Sequence, residues 1–256
     1  MPDGGPSQRV TLSTLRRAAR KGESIAMLTC YDALTAHHLW QGGVKAMLVG
    51  DTAAHVVLGH DSTLPVDMDF MVAITAAVRR GAPDAFIMAD MPFGSYQCGD
   101  DEAVANAARF LKEGMADSVK LEVAPLHAPL VGRMSAAGIP VVAHIGSRPQ
   151  TVRARGRYRA TYHTQADVDR TVADARLMVE HGAVMLLIEA VPAEVSQQVV
   201  EHVKRDAPDV IVIGCGAGPG CHGHVIVLHD LIGMTDWRPP FAPGLADLGA
   251  QLRDAA

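Results

Sequence analysis

Ala46-Met-Leu-Val-Gly-Asp-Thr52 reads as a short buried strand that ends in a carboxylate. Its apolar run has no polar alternate, which is the pattern of a strand covered on both faces. The device recurs in Phe86-Ile-Met-Ala-Asp90, Val119-Lys-Leu-Glu122, Val141-Val-Ala-His144 and Met185-Leu-Leu-Ile-Glu189. Each run predicts a strand that delivers one polar side chain at its carboxyl end. If the strands are parallel, those ends meet, and Asp51, Asp90, Glu122 and Glu189 would repel one another unless a cation or protons intervened.

Working outward, apolar runs and helical periods alternate along the chain. Strands are expected over 24–29, 46–49, 85–89, 118–121, 140–143, 184–188, 209–213 and 224–228. Helices are expected over 13–21, capped by Ser13, then 33–41, 67–80, 101–113, 125–137, 165–180, 192–205 and a short terminal one near 245–252. Eight strands with helices between them predict a (β/α)8 TIM barrel, whose active site lies at the carboxyl ends of the strands. An open doubly wound sheet with a ligand at the same ends is the alternative. Residues 1–10 read as a flexible lead and 11–256 as one barrel domain.

The bulk numbers fit this reading. The chain has 256 residues, 48% hydrophobic and only 4% aromatic, so the core must be built from aliphatic side chains and Met. A closed α/β barrel of roughly 250 residues is one domain. The net charge of −5 comes with no basic stripe, which argues against a nucleic-acid partner. No apolar run approaches the ~18 residues of a membrane helix. The first residues lack a signal-peptide pattern, and the four cysteines are expected as reduced thiols in the cytoplasm.

Several residues stand out chemically. Asp51 and Asp90 at neighbouring strand ends, with Glu122 close behind, suit Mg²⁺, which takes one or two carboxylates and keeps waters. The competing reading is that each aspartate caps the turn after its strand. Lys120 and Glu122 lie two apart, so they face one side of their strand, as an ion pair or an anion clamp. His144 could donate to a substrate carboxylate or carbonyl, or be a satisfied core histidine. Glu189 sits in apolar surroundings that would raise its pKa and suit it to acid/base work; a capping role is the alternative.

Two loops are polar enough to notice. Residues 51–66 form a long connection of the kind that often carries function. Residues 146–164 carry Arg148, Arg153, Arg155, Arg157 and Arg159, either as a solvated loop or as an anion-facing lid. The glycine run at 214–220 is not a dinucleotide fingerprint, because Pro219 and Cys221 fall where the third glycine is needed. Cys215, Cys221, His222 and His224 match no defensible zinc spacing.

The chain resembles the ketopantoate hydroxymethyltransferase family. The resemblance runs from about Leu12 to the terminal helix. It is carried by Thr29-Cys-Tyr-Asp32, Met47-Leu-Val-Gly-Asp51, Gly59-His-Asp-Ser-Thr-Leu-Pro-Val66, Ala77-Val-Arg-Arg-Gly-Ala82, Val119-Lys-Leu-Glu122, Leu187-Ile-Glu-Ala-Val-Pro192, Ile213-Gly-Cys-Gly-Ala-Gly218 and Val227-Leu-His-Asp230. It implies a barrel of the phosphoenolpyruvate and isocitrate-lyase-like type. It implies Mg²⁺ on Asp51, Asp90 and Glu122, and a 2-oxo acid bound by Lys120, His144 and Thr52. Glu189 matches the family's proposed acid/base. The one-carbon donor would be 5,10-methylenetetrahydrofolate, and the assembly a decamer.

The sequence departs from the family pattern around the rim, at Thr52-Ala-Ala-His55, Ala73-Ile74, Val123-Ala124, 158–163 and Cys221-His-Gly-His224. Two further readings therefore stay open. One is a paralogue running related enolate chemistry on another 2-oxo acid. The other is a catalytically silent, ring-forming or ligand-binding paralogue.

Overall fold

The computed structural model describes residues 9–155 and 164–256. Its strands are β1 (Ile25–Thr29), β2 (Ala46–Val49), β3 (Phe86–Asp90), β4 (Ser118–Glu122), β5 (Val141–Gly146), β6 (Met185–Glu189), β7 (Ile211–Cys215) and β8 (Gly223–Ile226). They pair in sequence order, all parallel, and β8 returns to β1 to close the barrel. The open-sheet alternative is thereby excluded. The helices are α1 (Leu12–Arg20), α2 (Ala33–Gln41), α3 (Ala53–Val56), α4 (Met68–Gly81), α5 (Asp100–Lys112), α6 (Ala128–Ala136), α7 (Val152–Arg155), α8 (Gln165–Glu180), α9 (Ala193–Asp206), α10 (Leu228–Leu231) and α11 (Leu248–Ala255).

The unalternating apolar runs serve two cores. Ala46, Leu48, Phe86, Met88, Val142, Met185 and Leu187 fill the barrel interior. Their neighbours Met47, Val49, Ile87, Ala89, Val141, Ala143, Leu186 and Ile188 pack under the helices. Side chains two apart on a strand share a face. Asp90 therefore follows Phe86 and Met88 on the inner face, His144 follows Val142, and Glu189 follows Met185 and Leu187. The alternation that fills the barrel also aims its polar residues inward.

Several boundaries differ from the expectation, each for a local reason. Thr11, not Ser13, caps α1, in a reciprocal pair with Thr14. The connection 51–66 contains α3. The helix expected over 125–137 splits into a 3₁₀ turn, Pro125–His127, and α6, because Pro129 has no N–H to give the carbonyl four residues back. β3, β4, β5, β6 and β7 run one to three residues further than expected, so Asp90, Glu122, His144 and Glu189 belong to the sheet itself. β8 stops at Ile226. Leu228 opens α10 and donates its N–H to Thr29 Oγ1 at 3.0 Å. Of the expected lead, residues 1–8 lie outside the described residues. Val10 is buried, and its N–H reaches Asp84 O at 2.8 Å.

Barrel closure puts a steric demand on one residue. Gly223 lies between β7 and β1, and a Cβ there would stand 2.2 Å from Ile25 O. Gly223→Ala is expected to lower stability by about 1–3 kcal/mol, the usual cost of overpacking. Gly220→Ala, whose Cβ would meet only Gln197 at 3.8 Å, is expected to stay within about 0.5 kcal/mol of wild type. Urea unfolding of the two variants checks the contrast.

Candidate active site

A cavity of about 720 Å³ opens at the carboxyl ends of the strands. Its floor is polar, with Asp51, Thr52, Asp90, Lys120, Glu122, His144 and Glu189. Much of the rest of its lining is apolar, with Val225, Ile226, Val227, Trp237, Pro239, Pro240 and Phe241. Register explains the floor. Asp90 stands opposite Lys120, Glu122 opposite His144, and Glu189 opposite both Gly146 and Cys215. Gly146 has a φ of +91°, and a Cβ there would lie 2.4 Å from Glu189 O, so only glycine lets β5 pass this close to Glu189. Ala190, directly after Glu189, is held at a φ of +50°, a left-handed conformation that costs an alanine energy.

The floor is a hydrogen-bonded array. Lys120 Nζ lies 2.7 Å from Asp90 Oδ2, which also accepts the Asp51 N–H at 3.2 Å. Lys120 Nζ is 3.4 Å from His144 Nδ1. An ammonium can only donate, so a neutral His144 accepts at Nδ1 and carries its proton on Nε2. That atom lies 3.3 Å from Glu189 Oε2, close in distance but outside hydrogen-bond alignment. Thr52 Oγ1 and Tyr31 OH are 2.6 Å apart.

Burial sets the charges. Asp90, Lys120, Glu122 and His144 are each at most 4% exposed. Desolvation raises the Asp90 carboxyl to about 7; Lys120 opposes this and Asp51 adds to it. Desolvation raises Glu122 to about 9, against the pull of Lys120 and of the Gln150 N–H. Burial pulls Lys120 down, but Asp90 and Asp51 outweigh it and hold the ammonium above its ordinary value. Burial and then Lys120 push His144 down, which keeps the ring neutral.

Positive charge on this floor is scarce. Among the described residues lining the cavity, four carboxylates face one lysine and no arginine. Asp90 Oδ1 and Glu122 Oε2 are buried without a hydrogen-bond partner. Hard, open carboxylate oxygens in an electronegative hollow are the donor set of Mg²⁺. No three His, Cys, Asp or Glu among the described residues already surround one point. The floor therefore suits an ion that keeps its own waters better than one that needs a closed cage.

The description of the ketopantoate hydroxymethyltransferase family matches residues 9–256. The 3-methyl-2-oxobutanoate hydroxymethyltransferase of Thermobifida fusca is 41% identical over 253 residues, covering 99% of this chain and 89% of that one. The enzyme of the same name from Syntrophus aciditrophicus is 42% identical over 249 residues, covering 97% and 90%. The chain belongs to the ketopantoate hydroxymethyltransferase family.

Solved structures extend the likeness at the level of fold. A 2,3-dimethylmalate lyase, a member of the PEP mutase/isocitrate lyase superfamily, superposes with a TM-score of 0.64 at 17% identity, covering 96% of this chain and 82% of that one. A phosphonopyruvate hydrolase solved with oxalate and Mg²⁺ gives 0.62 at 14%, covering 86% and 81%.

In this member of the family the barrel gathers Asp51, Thr52, Asp90, Lys120, Glu122, His144 and Glu189 around one hollow. It does not gather the four Cys and His residues near β8: His222 Nδ1 instead accepts the Val212 N–H at 3.0 Å. Arg148 is tied to Val123 O at 2.9 Å, and Arg153 is exposed. Arg157 and Arg159, and with them the expected lid, lie outside the described residues. Three residues that the sequence did not single out join the array. Gln150 donates to Asp51 and Glu122, Tyr96 donates to Gln150, and Tyr31 meets Thr52.

The Lys120–Asp90 pair has a direct test. Lys120→Met leaves Asp90 buried beside Asp51 with no cation. In metal-free protein this is expected to cost about 3–5 kcal/mol, and Lys120→Met/Asp90→Leu should recover much of it, because an apolar pair can replace a buried ion pair. Urea unfolding with a chelator present reads both.

Proposed function

We propose that this chain is a 3-methyl-2-oxobutanoate hydroxymethyltransferase, acting in the cytoplasm in pantothenate biosynthesis. It would form an enolate of the 2-oxo acid and add to C3 a one-carbon unit from 5,10-methylenetetrahydrofolate. The reading rests on the near full-length likeness to enzymes of that name. The chemistry of the floor supports it.

Asp51, Asp90 and Glu122 would hold Mg²⁺, which when bound supplies Lewis acidity where negative charge gathers on the keto oxygen. The remaining work falls to the chain's own groups. The Lys120 ammonium and the Nε2–H of neutral His144 are preorganised donors, suited to the carboxylate and keto oxygens of a 2-oxo acid. Thr52, held by Tyr31, offers a hydroxyl beside them. Glu189 takes the C3 proton as the enolate forms. The enolate carbon then bonds to the methylene carbon, both of that carbon's bonds to folate nitrogen break, and water supplies the hydroxyl. The two nitrogens take up the proton that Glu189 removed from C3 and the remaining proton of that water. The rest of the cavity would take the folate, with its flat ring against Trp237 and Phe241. Exposed Leu34 and Leu126 offer apolar surface to a second copy, in keeping with a homo-oligomer, a decamer in the form that the family resemblance implies.

The test is to incubate the protein with 3-methyl-2-oxobutanoate, 5,10-methylenetetrahydrofolate and Mg²⁺. Ketopantoate is expected, and chelation should stop its formation. Absence of product from well-folded, metal-loaded protein would overturn the assignment. Glu189→Gln is expected to lower kcat about 10²–10⁴-fold, the usual share of a general base. It should also suppress deuterium exchange at C3, measured by NMR. Trp237→Ala is expected to raise the KM for the folate about two- to tenfold, the worth of one aromatic stack, with the KM for the 2-oxo acid unchanged.

A further inference from the structure

Gln150 is uncharged, lies in the 3₁₀ turn Pro149–Thr151 after β5, and is 4% exposed. It is not among the residues lining the cavity, yet it binds two that are. Its backbone N–H donates to Glu122 Oε1 at 3.0 Å. Its side-chain Nε2 donates to Asp51 Oδ2 at 2.9 Å and to Met91 O at 3.0 Å. Its Oε1 accepts from the buried Tyr96 OH at 2.7 Å. Asp51 Oδ2 and Met91 O, both acceptors, settle which end of the amide is nitrogen, so the Tyr96 hydroxyl donates to the oxygen at the other end.

A pattern runs through the three carboxylates. Asp90 has Oδ2 engaged by Lys120 and by the Asp51 N–H, while Oδ1 is open. Glu122 has Oε1 engaged by Gln150, while Oε2 is open. Asp51 has Oδ2 engaged by Gln150. Gln150 thus does for two carboxylates what Lys120 does for the third, but without charge. A second cation here would stabilise the carboxylates and repel a dication. A neutral amide orients them and leaves their charge unspent.

We propose that Gln150 is a positioning residue for the divalent cation: it fixes one oxygen of Asp51 and one of Glu122, reserving the second oxygen of each for the ion, with Tyr96 locking its amide. This rests on the Mg²⁺ reading above. Loss of an outer partner of a metal-binding side chain typically weakens affinity 10- to 100-fold. A role confined to tying the ends of β2, β3 and β4 together would lower stability and leave affinity untouched.

The test titrates the full-length, metal-free chain with Mn²⁺, read by the electron paramagnetic resonance of the free ion, and records thermal midpoints in a chelator. Gln150→Ala, which frees Asp51 but keeps the backbone N–H on Glu122, is expected to weaken Mn²⁺ binding about 10- to 100-fold. Its turnover should recover as Mg²⁺ is raised. Tyr96→Phe, which leaves Gln150 in place but frees its amide, should show a smaller loss in the same direction. Unchanged Mn²⁺ affinity in Gln150→Ala would overturn the proposal; should that variant not fold, unchanged affinity in Tyr96→Phe would do so. A wild-type chain that binds no Mn²⁺ would remove the metal reading itself, and this role with it.

Discussion

The contact between Lys120 and Asp90, 2.7 Å long and almost wholly out of water, is the constraint on which the site depends. Burying one carboxylate beside one ammonium is roughly neutral at best. Here Asp51, Glu122 and Glu189 share the same hollow, and the single lysine cannot offset them all. Burial raises the Asp90 carboxyl to about 7 and that of Glu122 to about 9, and the neighbouring carboxylates add to both. A floor this short of positive charge is expensive for the chain and well suited to a dication. The arrangement is easier to understand as binding machinery than as structural support.

The barrel makes this concentration of charge feasible. Parallel strands in sequential order bring all their carboxyl ends to one rim. The two-residue period that packs Phe86, Met88, Val142 and Leu187 into the interior continues one step further, into Asp90, His144 and Glu189. Packing and chemistry thus share one register. A one-residue slip in any of these strands would turn its polar end outward into the helix layer. Close passages at Gly146 and Gly223 keep that register tight where side chains would force the strands apart.

Much of this was legible in the chain. Unalternating apolar runs gave the buried strands, and a polar residue closing each run marked the rim. Asp51, Asp90, Lys120, Glu122, His144 and Glu189 were therefore visible as candidates before any geometry was known, whereas Thr52 stood out only through the family resemblance. Gln150 was invisible for a physical reason. A lone amide in an arginine-bearing loop carries no charge or periodic signal, and its partners come from the chain just after β2, from the end of β4 and from the chain just after β3. Tyr96 and Tyr31 were hidden in the same way, because a hydroxyl's role depends on what the fold brings opposite it. The helix break at Pro129 was readable from proline chemistry alone, but helical periodicity ran across it.

The central claim is that the excess of buried carboxylate exists to hold a divalent ion against which a 2-oxo acid loses its C3 proton. A crystal structure of the chain with Mg²⁺ and 3-methyl-2-oxobutanoate tests it most directly. The account predicts an ion held by oxygens of Asp51, Asp90 and Glu122, with the keto acid and water in the rest of its shell. A keto acid seated on Lys120 and His144 with no ion beside those aspartates, or an ion bound elsewhere on the barrel, would contradict it.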